Sequence, residues 1–278
     1  MNVRQLGISR RSIALVAGLL GAVSLAIGAH AALNKRALDA AKAIGTEQTA
    51  DLGKPARVAL VIGNGNYPDA AAPLAQPIND ARALTGTLRR NGFDVEVVED
   101  ASKDDMERAI ARLKGKINKD AVVMLFFGGY AVEAGRENFM VPVDARIWKE
   151  KDVKREGISV ESVLEEIKES GARAKLVVID ASRRNPYERR FRSYSHGLAP
   201  IAAPDNALIL TSATPGKVVD DSKGQNSVLV SELLNNFSAK TGLESVFNKT
   251  RISITRASDG EQVPTVSSTL VEEVSLGG

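Results

Sequence analysis

From Arg57 onward, short unbroken apolar runs alternate with longer stretches of helical period. Val58–Ile62 is one such run, and it closes on Gly63-Asn-Gly-Asn66. An apolar run ending in a turn signal predicts a strand buried on both faces. Ala121–Phe127, Lys175–Ile179 and Ala207–Thr211 repeat the pattern, Phe93–Val98 predicts a further strand, and Asn138–Pro142 a short extended piece. Between them the period changes. Ala81, Leu84 and Leu88 share one face of a helix predicted over Pro77–Asn91, with Pro77 suited to its first turn. Met106, Ile110, Leu113 and Ile117 form the stripe of a helix over Asp104–Ile117. A third helix is predicted over Ser159–Ser170, with Ser159 as N-cap and Ser162 as the later alternative. Two more are expected near Ser227–Ala239 and Leu243–Arg256. No internal repeat interrupts this order. Strands and helices alternating in this way predict an α/β fold with a mostly parallel sheet covered on both faces. In such sheets function sits beyond the carboxyl ends of the strands, so the loops after Gly63, Gly128 and Ile179 are the ones to inspect.

The first 31 residues have a different character. Arg4, Arg10 and Arg11 give a positive start, Ile13–Ile27 carries no charge, and Ala29-His30-Ala31 is a small-residue cleavage pattern. The apolar run is 15 residues long, where a membrane span needs about 20. A cleaved signal peptide is therefore expected, with an uncleaved inner-membrane anchor as the alternative. Ser9-Arg10-Arg11-Ser12-Ile13 also resembles a twin-arginine signal. Residues 32–56, rich in Ala, Lys, Asp and Gly, read as a spacer, and 57–278 as one domain. The expected location is periplasmic or secreted.

Composition narrows the chemistry. Aromatics are only 4%, so aliphatic side chains must fill the core. The net charge of +3 is spread among nearly equal numbers of acids and bases, which argues against a nucleic-acid binder. With no cysteine, disulfides, thiolate metal sites and a cysteine nucleophile are all excluded. His30 and His196 are the only histidines, too few for a His-based metal site. No cofactor is expected. Asp220-Asp221 falls far short of a calcium loop. Gly63-Asn-Gly65 lacks the third glycine of a dinucleotide fingerprint, since position 68 is Pro.

Four sets of segments, taken in order, carry a resemblance. They are Val58-Ala-Leu-Val-Ile-Gly-Asn64 with Pro77-Ile-Asn-Asp-Ala81, then Phe126-Phe-Gly-Gly-Tyr-Ala-Val132 with Glu137-Asn-Phe-Met-Val-Pro142. Val177-Val-Ile-Asp-Ala-Ser-Arg-Arg-Asn-Pro186 and Gln262-Val-Pro264 with Ser267-Ser268 complete the set. Together they resemble the caspase-like cysteine peptidases, above all the orthocaspases, bacterial relatives of metacaspases. The resemblance runs from about Arg57 to about Glu273 and implies the caspase-like (caspase-hemoglobinase) fold. It also implies where chemistry should sit. Tyr130 stands where the family keeps its general-base His, and Ser182 where it keeps its nucleophilic Cys. Asp80 and Asp180 match the carboxylates that line the primary pocket of the metacaspase branch, which accepts Arg or Lys. From the residues alone, Asp80 could instead cap a helix at 81, and Asp180 could satisfy loop amides.

Both departures act against peptidase chemistry. Some thiolate exists at neutral pH because a thiol has a pKa near 8.5. A serine hydroxyl has essentially none and needs a base. A phenol with a pKa of about 10 stays protonated and cannot serve. A Ser182–Tyr130 dyad would require an ionised Tyr130, for which Arg183 and Arg184 are the nearest charges in sequence. His196 reads as a surface-loop residue rather than a base. The expectation is an exported pseudopeptidase that binds a peptide or protein ligand carrying Arg or Lys through Asp80 and Asp180. A weak hydrolase using Ser182 and a purely structural domain are the alternatives. No nucleic-acid partner is expected, and membrane contact only through an uncleaved N-terminal segment.

Overall fold

The structure, a computed structural model, describes residues 56–68, 73–191, 197–219, 223–237 and 241–275. The N-terminal 55 residues, His196 and Asp220-Asp221 lie outside the described residues.

The continuous apolar runs become central strands. β1 (Arg57–Gly63), β3 (Val122–Gly128) and β7 (Ala174–Asp180) are buried along almost their whole length. β2 (Asp94–Glu99) and β8 (Ala207–Thr211) flank them. These five strands are parallel, and β9 (Thr265–Ser268) adds to β8 antiparallel, giving the order β2-β1-β3-β7-β8-β9. Alternate side chains feed two cores, as the pleat requires. Leu60, Ile62, Leu125, Phe127 and Ile179 meet Met106, Ile110 and Leu113 of α2 (Lys103–Lys116) and Val163, Leu164 and Ile167 of α4 (Val160–Glu169). On the other face, Val61, Met124, Phe126 and Val178 meet Leu84 and Leu88 of α1 (Ala75–Arg90). Leu229 and Leu233 of α5 (Val228–Asn236) and Phe247 and Ile254 of α6 (Leu243–Ala257) complete that layer.

The helix starts follow local chemistry. Ser159 caps α4 by accepting a hydrogen bond from Ser162 N–H, as its position in the sequence predicts. Ser102 and Asp105 form a reciprocal capping box at α2. α1 begins at Ala75, so Asp80 lies inside this helix and does not cap it. The alternative reading of Asp80 as a cap at 81 is corrected accordingly.

A second, three-stranded antiparallel sheet stands above the carboxyl ends. It comprises β4 (Ala131–Ala134), β5 (Glu137–Met140) and β6 (Ile158–Ser159). Gly135 and Arg136, both at positive φ (66° and 69°), form the two-residue turn between β4 and β5. The short helix α3 (Glu150–Glu156) follows, started by the buried Asp152 carboxylate, which accepts from Trp148 N–H and Lys149 N–H. Hairpin and helix close over a small core of Tyr67, Phe139, Val141, Ile147 and Tyr187.

Candidate functional site at the carboxyl ends of the central strands

Three strands end level. The ladder register aligns Gly63 with Gly128 and Gly128 with Asp180. Tyr130 and Ser182 therefore leave neighbouring strands at matching heights, and Gly129 N–H donates to the Asp180 carbonyl at 3.3 Å. Adjacency in the sheet brings together residues 52 positions apart in the chain.

Tyr67 fixes Tyr130. Its hydroxyl donates to the Val141 carbonyl at 3.0 Å and accepts from Tyr130 N–H at 3.1 Å. The two rings meet edge to face with centroids 4.9 Å apart. A Cβ on Gly129 would lie 2.5 Å from that hydroxyl, so the close approach requires glycine there. Burial pushes the ionisation of Tyr67 far above the ordinary phenol range. Asn64 holds the same loop from the other side, accepting from Ala101 N–H at 2.9 Å and donating to Val141 O at 3.2 Å.

Ser182 is only 1% exposed. Its N–H donates to Ser212 Oγ at 3.3 Å, and its carbonyl accepts from Val219 N–H at 2.8 Å. A serine nucleophile needs a base beside its hydroxyl and backbone N–H groups aimed at the oxyanion. Here the N–H of Ser182 is already engaged, and Tyr130 at the matching strand end offers a phenol.

The acids are arranged differently. The Asp80 carboxylate crosses to α5: Oδ1 accepts from Asn226 Nδ2 at 2.8 Å and from Ser227 N–H at 3.0 Å. Asp80 thus braces the start of another helix, whose cap is Ser227. Its Oδ2 is buried without a hydrogen-bond partner, and so is Asp180 Oδ2. Among the described residues, Asp180 Oδ2 meets no loop amide. Burial first, and then the charge of Asp180, raise the Asp80 pKa to about 7, against the bonds from Asn226 and Ser227. Arg183 supplies the nearby cation. Its Nη1 donates to the carbonyls of Gly129 (3.0 Å) and Asp180, and lies 4.0 Å from Asp180 Oδ1. Gln76 and Asn79 of α1 donate to the Gly224 and Gln225 carbonyls, so the segment up to Ser227 lies against the helix that carries Asp80.

Asp80 and Asp180 are 0% and 2% exposed, so the pair is closed to solvent in this conformation. The roomier clefts lie elsewhere. One of about 240 Å³ sits beside β9, and one of about 540 Å³ between α2 and α4; neither is lined by these acids. Among the described residues, no three acidic or histidine side chains converge as metal ligands.

Residues 56–275 match the family model described as Caspase domain. The chain belongs to the caspase domain family. Two curated relatives match a shorter stretch. The human mucosa-associated lymphoid tissue lymphoma translocation protein 1 is 37% identical over 101 residues, which is 36% of this chain and 12% of that protein. The mouse homolog of that protein is 33% identical over 99 residues, with the same coverage. The similarity thus spans about an eighth of either relative.

The mostly parallel sheet flanked by helices is the caspase-like fold that the four motifs predict. Sequence reasoning did not find Tyr67, Ser212 or Asn226. Tyr67 follows a turn with no periodic signal, and Ser212 and Asn226 reach the site only through long-range packing.

Proposed function

We infer that this caspase domain binds a cationic side chain at Asp80 and Asp180 and does not turn over peptides efficiently. The observation that carries this reading is the pair of carboxylate oxygens, Asp80 Oδ2 and Asp180 Oδ2, buried without hydrogen-bond partners. An unmet buried acceptor is costly, and a guanidinium or ammonium group offsets that cost by charge and hydrogen bonding. A strongly perturbed carboxylate such as Asp80, beside the strand ends, also marks where an α/β protein keeps its site. Catalysis lacks comparable support, because Ser182 is buried, its N–H is engaged, and Tyr130 replaces the base. Since the pair is closed, a ligand reaches it once the Gly224–Ser227 segment lifts from α1. The ligand is a peptide or protein segment with Arg or Lys, met outside the cytoplasm if the N-terminal segment directs export.

The test is calorimetric titration of the full chain with peptides ending in Arg or Lys, alongside a turnover assay with Ser182→Ala as control. Binding without cleavage, lost in Asp80→Asn with Asp180→Asn, is the expected result. Cleavage by the unaltered chain but not by Ser182→Ala would replace this reading with a serine hydrolase. Neither binding nor cleavage would leave a structural domain.

A further inference from the structure

Trp148 is the only tryptophan of the chain, and 69% of it is exposed. An exposed indole normally moves; this one is held at both ends. Its backbone N–H donates to the buried Asp152 carboxylate at 3.1 Å, and the preceding Ile147 is fully buried. Its ring carries the Arg190 guanidinium 4.8 Å from the centroid. Arg190 is itself anchored, donating to the Ile147 carbonyl at 2.7 Å and lying 5.5 Å from the Tyr187 ring. Two segments 43 positions apart thus build one rigid platform. Rigidity before binding removes an entropic cost that a ligand would otherwise meet.

The charge around this platform has a direction. Arg146, Lys149, Lys151 and Arg189 are exposed around it. Most of the neighbouring acids are engaged: Asp144 accepts from Lys103 N–H at 2.9 Å, and Glu150 is half-buried. Asp152 is buried against the start of α3, Glu156 pairs with Arg155 at 2.8 Å, and Glu188 faces Arg184 at 3.7 Å. The surface thus combines a stacked aromatic with four exposed cations within a few residues of Trp148 or Arg190 in the chain.

We propose that this surface docks an acidic segment of a protein partner. Tryptophan, arginine and tyrosine are the residues that dominate binding energy at protein interfaces, and cations around them select carboxylates. A membrane fits less well. Among the described residues Trp148 stands alone, because the other large exposed apolar residues, Ile252 and Val271, belong to α6 and to the segment after β9. Nucleic acid fits less well too, since 37 bases stand against 34 acids along the chain and this patch does not extend into the long cationic stripe a phosphate backbone needs. The inference stands apart from the Asp80–Asp180 pair and does not rest on it.

Because Trp148 is the only tryptophan, its emission reads the surface directly. The full chain is titrated with hexaglutamate, with hexaglutamine as control, and labelled peptide anisotropy is followed in parallel. Hexaglutamate should shift the emission saturably toward shorter wavelength, and raising salt should weaken binding about tenfold. Trp148→Ala should weaken binding by about 10–30-fold in the anisotropy assay. Lys149→Glu with Arg189→Glu, both at exposed positions, should weaken it at least as much. An unchanged emission, an equal response to hexaglutamine, or full binding by both variants would overturn the proposal. Tighter association with phosphatidylglycerol vesicles or with oligothymidylate than with hexaglutamate would overturn it in favour of those partners.

Discussion

The acids on the β2 edge and the acids at the strand ends obey opposite rules. On the edge, Asp94, Glu96 and Glu99 each meet a cation from a neighbouring helix: Lys116 at 2.7 Å, Arg112 at 2.5 Å and Arg82 at 2.6 Å. All are at the surface, where water already solvates them and pairing contributes little. Their charges also keep a sheet edge from pairing with other strands. Beside the strand ends, Asp80 and Asp180 are buried, Arg183 stands 4.0 Å from Asp180 Oδ1 alone, and an oxygen of each acid lacks a partner. Folding tolerates the first arrangement at almost no cost and the second at a real one. A costly arrangement of charge is the better pointer to function.

The comparison can be broken in four ways, from the largest effect to the smallest. Asp80→Asn with Asp180→Asn should lower affinity for an Arg-terminated peptide by about 100–1000-fold, since two charge-assisted contacts are lost. Calorimetry decides, and an unchanged affinity would remove the acids from the site. Gly129→Ala forces a methyl to 2.5 Å from the Tyr67 hydroxyl and should destabilise the domain by about 2–4 kcal/mol in denaturant unfolding.

Protonation sharpens the contrast. The Asp80 pKa is raised from 3.8 to about 7, so the folded state holds a proton that the unfolded chain has released. Stability should therefore fall as pH rises from about 4 to about 7, by on the order of 3 kcal/mol. Asp80→Asn should remove that loss and melt higher than the unaltered chain at pH 8, while matching it near pH 4. Cation binding should run the other way and strengthen as pH rises through about 7. Equal melting at both pH values would show Asp80 to be an ordinary carboxylate. The smallest effect belongs to the edge: Glu96→Gln should move the melting temperature by less than about 2 °C. A larger shift would mean that these surface pairs carry more of the fold than their exposure allows.

Much of the fold was legible because burial on both faces leaves a simple trace. Val58–Ile62, Ala121–Phe127 and Lys175–Ile179 have no polar alternation to confuse, and each became a central strand. Ser159 was legible as a cap because its chemistry is local. The hairpin of β4 and β5 was only half visible: Asn138–Pro142 marks β5, but Ala131–Ala134 is too short to show a period. Strand β9 gives four residues, Thr-Val-Ser-Ser, with no apolar run at all. Asp80 illustrates the limit. Its sequence neighbours suggested a cap nearby, whereas its partners, Asn226 and Ser227, lie more than 140 positions away. The platform at Trp148 escaped for the same reason, since one half of it comes from the loop after β7.

The level ending of β1, β3 and β7 has a consequence for how such a molecule changes over generations. Their pairing finishes at Gly63, Gly128 and Asp180, just before positions 130 and 182. The sheet and its two cores are thus a chassis, and positions 130 and 182 are fittings mounted on it. Exchanging a fitting alters what the molecule does to its ligand while leaving the ladder beneath untouched. The residues at two such positions can therefore change while the scaffold beneath them is kept.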